Sequence, residues 1–182
     1  MIVVNINIKH VKTKDMNYKI DKGDHYSKFN FGKLQPFASE WRGTFEINSN
    51  WWYEGDAIEY SGWNKLGGVA EFFTIHRNSA RLVFQPDEQH NKFVMAGYVY
   101  SKGVRSEIII PIHIDADREY QAEVKWNKEL ELWDFWIKPT DSPDSFGWMM
   151  QGTKPKGLTR KCYPYFGGRS TAPNNVSAKV KY

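Results

Sequence analysis

Tyr120, Ala122, Val124 and Trp126 alternate with Gln121, Glu123, Lys125 and Asn127 in a strict period of two. In a pleated strand that spacing turns one face to a core and the other to water. The strand it predicts spans 118–127, and less regular versions of the pattern predict strands over 43–48, 69–75, 79–85, 92–101, 104–114, 130–138 and 175–181. A further edge strand is expected near the N-terminus, with Val4, Ile6 and Ile8 inward. Turn-forming residues separate these runs: Asn64 to Gly68, Gln85-Pro86-Asp87, Ser101-Lys102-Gly103 and Gly167-Gly168. Tyr98 and Tyr100 before Lys102-Gly103 predict a tight hairpin.

Helices are not expected beyond a short turn, because Pro and Gly recur and the periodic segments favour β-branched and aromatic residues. Pro139 to Gly157 reads as a long connection whose Phe146, Trp148, Met149 and Met150 must pack on the body or on a partner. About ten strands joined by hairpins predict an all-β, antiparallel jelly-roll sandwich over 1–182, one domain, with a closed barrel as the alternative.

Composition narrows the function classes. The chain has 25 Lys and Arg against 21 Asp and Glu, and its basic residues are scattered, which argues against a nucleic-acid partner. Cys162 is the only cysteine, so an intramolecular disulfide is excluded. The start lacks the basic region of a signal peptide, and synthesis in the cytoplasm is expected. No apolar run reaches the roughly 20 residues of a membrane-spanning helix, so membrane insertion is not expected.

Glycan hydrolysis generally needs two carboxylates flanking the bond. Glu129, Glu131 and Asp134 are the one run that offers them, if Glu129 and Glu131 share a strand face and a bulge brings in Asp134; the alternative is the wet face of a hairpin strand. A lyase needs a base and a group that neutralises a uronate carboxylate, which draws attention to His76, Arg77, Asn78 and Arg81. The competing expectation is a turn capped by Asn78 and Ser79 with a salt-bridged Arg81. The histidines at 10, 25, 76, 90 and 113 show no metal-ligand spacing, and His113 reads as the outward member of an alternating strand. Asp115 and Asp117 offer two oxygens to calcium or simply form a turn. No catalytic residue, metal or cofactor is assigned.

Aromatic residues make up 16% of the chain, 8 of them Trp, and these favour binding. Trp51, Trp52 and Tyr53 are consecutive, so at least one is expected to point away from the core, and Trp63 follows in a polar loop. Exposed indoles stack on sugar rings or anchor protein interfaces, with Asn64, Glu54 and Asp56 as orienting neighbours; the alternative is an aromatic core cluster. The candidate ligand-binding set is therefore Trp51, Trp52, Trp63, Asn64, His76 and Arg81.

Asn64-Lys65-Leu66 with Gly68, His76 to Leu82, Ala96 to Tyr100 with Gly103 and Arg105, and Tyr163-Pro164-Tyr165-Phe166-Gly167-Gly168 followed by Ala172-Pro173 together resemble a set of small concanavalin-like jelly-roll proteins of Bacteroidetes and their phages. The sequence departs from the pattern at Asn174-Asn175, where the family would place His-Asp. The resemblance implies the fold and a viral or bacterial setting, and it transfers no activity. The expected function is a non-enzymatic recognition or assembly module, a phage virion component contacting other subunits in a virion or homo-oligomer, or host-surface glycan. A free lectin and a polysaccharide-degrading enzyme are the alternatives.

Overall fold

The strand at 118–127 forms where its alternation places it. In a computed structural model that describes residues 15–28, 34–53, 62–167 and 171–181, β8 (Glu119–Asn127) lies between β3 (Glu40–Ile47) and β9 (Leu132–Pro139). Tyr120, Ala122 and Val124 are buried beside Trp41, Phe45, Trp133, Phe135 and Ile137. The intervening positions carry salt bridges in water, such as Arg42 to Glu123 and Lys179 to Glu46.

The remaining strands are β1 (Asp15–Ile20), β2 (Leu34–Pro36), β4 (Asn64–Glu71), β5 (Ser79–Asp87), β6 (Lys92–Ser101), β7 (Val104–Ile114), β10 (Phe146–Gln151), β11 (Leu158–Cys162) and β12 (Val176–Lys181). Among the described residues the twelve strands form two six-stranded antiparallel sheets, ordered β1-β12-β3-β8-β9-β10 and β2-β11-β4-β5-β6-β7. The fold is an antiparallel jelly-roll β-sandwich with its core between the sheets. The hairpin between β6 and β7 turns at Lys102 (φ 53) and Gly103 (φ 87), both in the left-handed region that a two-residue turn matching strand twist requires.

Four strands lie outside the expected ones: β1, β2, β10 and β11. The expected connection from Pro139 to Gly157 contains β10, which pairs with β9 from Phe146↔Ile137 to Gln151↔Leu132. Met150 is buried there and Trp148 stacks on Phe135 at 5.2 Å, whereas Phe146 and Met149 stay exposed. Short β2 is fastened to β11 by Thr159, whose hydroxyl accepts from Ala38 N at 2.8 Å and donates to Gln35 O. The expected edge strand at Val4 to Ile8, together with Glu54 and Asp56, lies outside the described residues.

The central strands of the second sheet, β4, β5 and β6, are buried on both faces over most of their length. Leu66, Val69, Ala80, Leu82, Phe84 and Met95 face the other sheet. Trp63, Val83, Val94, Ala96 and Tyr98 form a separate cluster on the outer face. A sheet face exposed on one side only would show polar residues at those positions, and the exception marks where a site is built.

Candidate functional site

On β5 the outward positions are Ser79, Arg81 and Val83, since Ala80, Leu82 and Phe84 belong to the core between the sheets. Register sets Arg81 between Gly68 of β4 and Tyr98 of β6. Gly68 has φ +142, and a Cβ there would lie 2.2 Å from the Ala80 carbonyl oxygen, so glycine is what lets the two strands approach beside Arg81.

Arg81 is fully buried. Its Nη1 donates to the Tyr165 hydroxyl at 2.7 Å. Its guanidinium lies 4.8 Å from the Tyr98 ring centre and 5.5 Å from that of Tyr100. The Nε and Nη2 donors are buried and have no hydrogen-bond partner, and among the described residues no carboxylate forms an ion pair with this side chain. Lys65, 6% exposed, donates from Nζ to the Trp63 carbonyl and lies 4.9 Å from Tyr98 and 5.6 Å from Tyr165. Arg105 approaches the same Tyr98 ring at 5.7 Å. The result is a positively charged aromatic floor, with cations held against ring faces whose quadrupoles attract them.

His76 closes one side, its ring edge-on to Tyr100 at 5.1 Å. Desolvation, and then the neighbouring charges of Arg81, Lys65 and Arg160, hold its pKa below the usual imidazole value. The Tyr165 phenol is pushed up by burial, a shift partly opposed by Arg81, and it stays protonated as a hydrogen-bonding group. Burial likewise raises the Cys162 thiol, which argues against a nucleophilic role. Nearby lies an open cleft of about 570 Å³ lined by Glu71, Arg77, Asn78, Lys102, Thr153 and Lys156. Asn78 organises its wall, donating to Glu71 Oε1 at 2.6 Å and accepting from Lys102 N at 2.9 Å.

The structure therefore brings Trp63, His76 and Arg81 to one face and places the other expected residues elsewhere. Trp51 is fully buried, packs on Phe84 and Phe166, and donates from Nε1 to Ser177 O at 2.8 Å. Trp52 is half-buried against Phe93, and Tyr53 rests on Phe166. A 3-10 turn at Ser49–Trp51 redirects the chain, so the expectation that one consecutive aromatic must leave the core does not apply. Asn64 is buried, with Oδ1 accepting from Gly167 N at 3.1 Å, and ties the segment after β11 to the start of β4.

Arg81 is not salt-bridged to any described residue, contrary to the turn-and-salt-bridge expectation. Asn78 and Ser79 do organise the turn, Ser79 donating from Oγ to Ile75 O at 2.8 Å. Glu129 and Glu131 sit in the exposed turn between β8 and β9, not on one strand face, and Asp134 accepts from Asn127 at 3.1 Å. The glycanase arrangement is thus not formed. Asp115 and Asp117 serve separate partners, Lys92 and Arg118 for the first, Asn48 and Ser49 for the second. His90 and His113, which spacing kept apart, converge on Asp87.

Lys65, Tyr98, Tyr100 and Tyr165 were absent from the expected set. The alternation of Tyr98 and Tyr100 with buried Val99 was the available signal for two of them. Lys65 was concealed by the register shift between Lys65 and Gly67, and Tyr165 lies outside the strands, where isolated bridges to Lys65 and Tyr26 hold it.

No protein-family model matches the chain, and no curated protein sequence matches it. Among solved structures it is similar to a xylan β-1,4-xylosidase from Bacillus halodurans, with TM-score 0.48 and 10% identity over 82% of this chain and 28% of the xylosidase. It is also similar to winged bean acidic lectin complexed with methyl-α-D-galactose, with TM-score 0.43 and 6% identity over 93% of this chain and 96% of the lectin. Likeness at this level accompanies the sandwich architecture and decides nothing about activity.

Proposed function

We propose that the outer face of the second sheet binds the carboxylate of an acidic glycan, and that the protein is a non-enzymatic carbohydrate-recognition module. The observation that carries this reading is Arg81, whose two buried guanidinium donors lack partners. A guanidinium presents its donors in a planar fork that matches a carboxylate. Tyr98 and Tyr100 beside it supply ring faces and hydroxyls, the combination that suits a sugar ring bearing a charge. Hydrogen bonds to charged groups contribute about 1.5–3 kcal/mol each, so removing the fork should weaken binding at least about tenfold.

Calorimetric titration with uronate oligosaccharides and their neutral counterparts tests this. Selective binding of the acidic series, lost in Arg81→Met, supports the reading. Equal binding of both series, or undiminished binding by the variant, would overturn it.

A second reading is favoured by His76, whose depressed pKa leaves a neutral imidazole at neutral pH. Acting on a uronate polymer, His76 would remove the proton next to the carboxylate while Arg81 stabilises the resulting charge. The bond from the neighbouring carbon to the glycosidic oxygen would break as a carbon–carbon double bond forms, with the Tyr165 hydroxyl donating a proton to the leaving oxygen. Appearance of an ultraviolet-absorbing unsaturated product, abolished in His76→Ala, identifies this lyase; intact polymer after long incubation excludes it.

An assembly role, in a virion or otherwise, would use a different surface, where Leu34, Phe37, Phe73 and Leu158 are exposed. Light scattering separates this case. A defined oligomer supports it and a monomer at high concentration counts against it.

A further inference from the structure

Asp87 ends β5 and His90 lies in the turn that leads to β6. The turn closes through His90 N to Asp87 O and Asn91 N to Glu88 O, both 3.3 Å, with Asn91 at φ 50. Gln89 N donates to Asp87 Oδ1 at 3.1 Å, which fixes the carboxylate and leaves Oδ2 to the histidines. His90 Nδ1 lies 2.8 Å from that oxygen. His113, on β7 opposite Val94, brings Nε2 to within 2.7 Å of it. The two imidazole rings are 4.2 Å apart and inclined at 33°, and the three ligand atoms all lie within 4.8 Å of one another.

We propose that Asp87, His90 and His113 bind one transition-metal ion of the Zn²⁺ class, with water completing its coordination. Two imidazole nitrogens and one carboxylate oxygen are the donor set of such ions, whereas Ca²⁺ and Mg²⁺ prefer six or more oxygens. A tetrahedral ion with bonds of about 2.0 Å sets its ligand atoms roughly 3.3 Å apart. The present nitrogen–oxygen separations therefore need to open by only about half an ångström. His90 is 48% exposed while His113 and Asp87 are 23% and 22% exposed, so the site is open to solvent on the side of the turn.

The ion would replace two hydrogen bonds. An ionised Asp87 only accepts, so in the metal-free state both facing ring nitrogens carry hydrogen. Metal binding requires each of these nitrogens bare. The proton either moves to the far nitrogen of the same ring or leaves to solvent. Because β7 is the edge strand of its sheet among the described residues, the ion would also fasten that edge to the β5–β6 turn.

The experiment is calorimetric titration of the full, tag-free chain with zinc chloride. It is paired with melting curves and with nitrogen-detected NMR of the histidine rings. The expected result is one ion per chain, a raised melting temperature, and ring signals of His90 and His113 that change tautomer while that of His25 does not. His90→Ala sits in an exposed turn and so retains the fold; it should lower affinity at least tenfold, as should His113→Ala. Absence of saturable binding, or unchanged affinity in both variants, overturns the proposal. Displacement of Zn²⁺ by an equal concentration of Ca²⁺ overturns the donor assignment.

Discussion

A guanidinium beneath a layer of tyrosines has lost its water, and for Arg81 only the Tyr165 hydroxyl replaces it among the described residues. Replacing a buried charge by an apolar side chain of similar volume is often neutral or stabilising. Arg81→Met should therefore stay within about 3 kcal/mol of the parent in urea unfolding while losing ligand, since the hydrogen bond from the charged guanidinium to Tyr165 is worth about 1.5–3 kcal/mol. A loss above about 3 kcal/mol would instead reveal a broken buried pair. His76 adds a pH dependence with a definite sign. Its folded pKa lies below the ordinary value because of desolvation first and then Arg81, Lys65 and Arg160. The unfolded chain therefore takes up this proton first, and the contribution of neutral His76 to stability is lost as pH falls from the unfolded value through the folded one. An anion bound at Arg81 would offset the neighbouring cations and raise the His76 pKa. Affinity for an acidic sugar should accordingly increase as pH falls through the range in which His76 takes up its proton, until the sugar's own carboxylate protonates, and His76→Gln should flatten that rise. At this scale the sequence was readable where alternation is strict. Arg81 could be placed opposite Ala80 and Leu82 by counting, whereas Trp51 could not, because counting assumes an extended chain and a 3-10 turn intervenes.

Elements that pair along their length with strong alternation were legible, as β8 and the β6–β7 hairpin show. Those held by a few contacts were not. The segment 139–157 that contains β10 has the Gly and Pro punctuation of a loop, yet Met150 and Trp148 dock β10 across the core against β6 and β9. Gly97 of β6 makes room for them: a Cβ there would lie 2.3 Å from Met150 Sδ and 2.8 Å from Trp148 Nε1. No local pattern announces such a gap, because it depends on residues far apart in sequence. Gly97→Ala should destabilise the protein by about 1–3 kcal/mol through overpacking, and Met150→Ala by about 2–5 kcal/mol through the cavity it leaves. If Gly97→Ala loosens β10 specifically, hydrogen exchange should accelerate at Met149 and Met150 before it does in β8. Uniform acceleration would mean that β10 unfolds only with the whole sandwich.

Across the whole molecule the two outer faces differ in kind. That of the first sheet carries exposed charges already matched across strands, Arg42 with Glu123, Lys179 with Glu46 and Lys181 with Glu119, and such pairs contribute little to stability. That of the second sheet gathers cations around tyrosines and continues toward a cleft where Arg77, Lys102 and Lys156 meet one carboxylate, Glu71. An anionic saccharide approaching this side would be steered by the exposed cations and held by the buried ones. Steering acts on association and is screened by salt, while contacts in a desolvated site govern release. Lys156→Glu should therefore slow association several-fold at low salt, with the difference fading as the Debye length contracts to about 8 Å at physiological ionic strength. Dissociation should stay unchanged, because Lys156 is exposed at the cleft and Arg81 is not. Stopped-flow measurements using tryptophan fluorescence separate the two rates. Faster release from Lys156→Glu would place the bound sugar in the cleft and assign Arg81 a structural part.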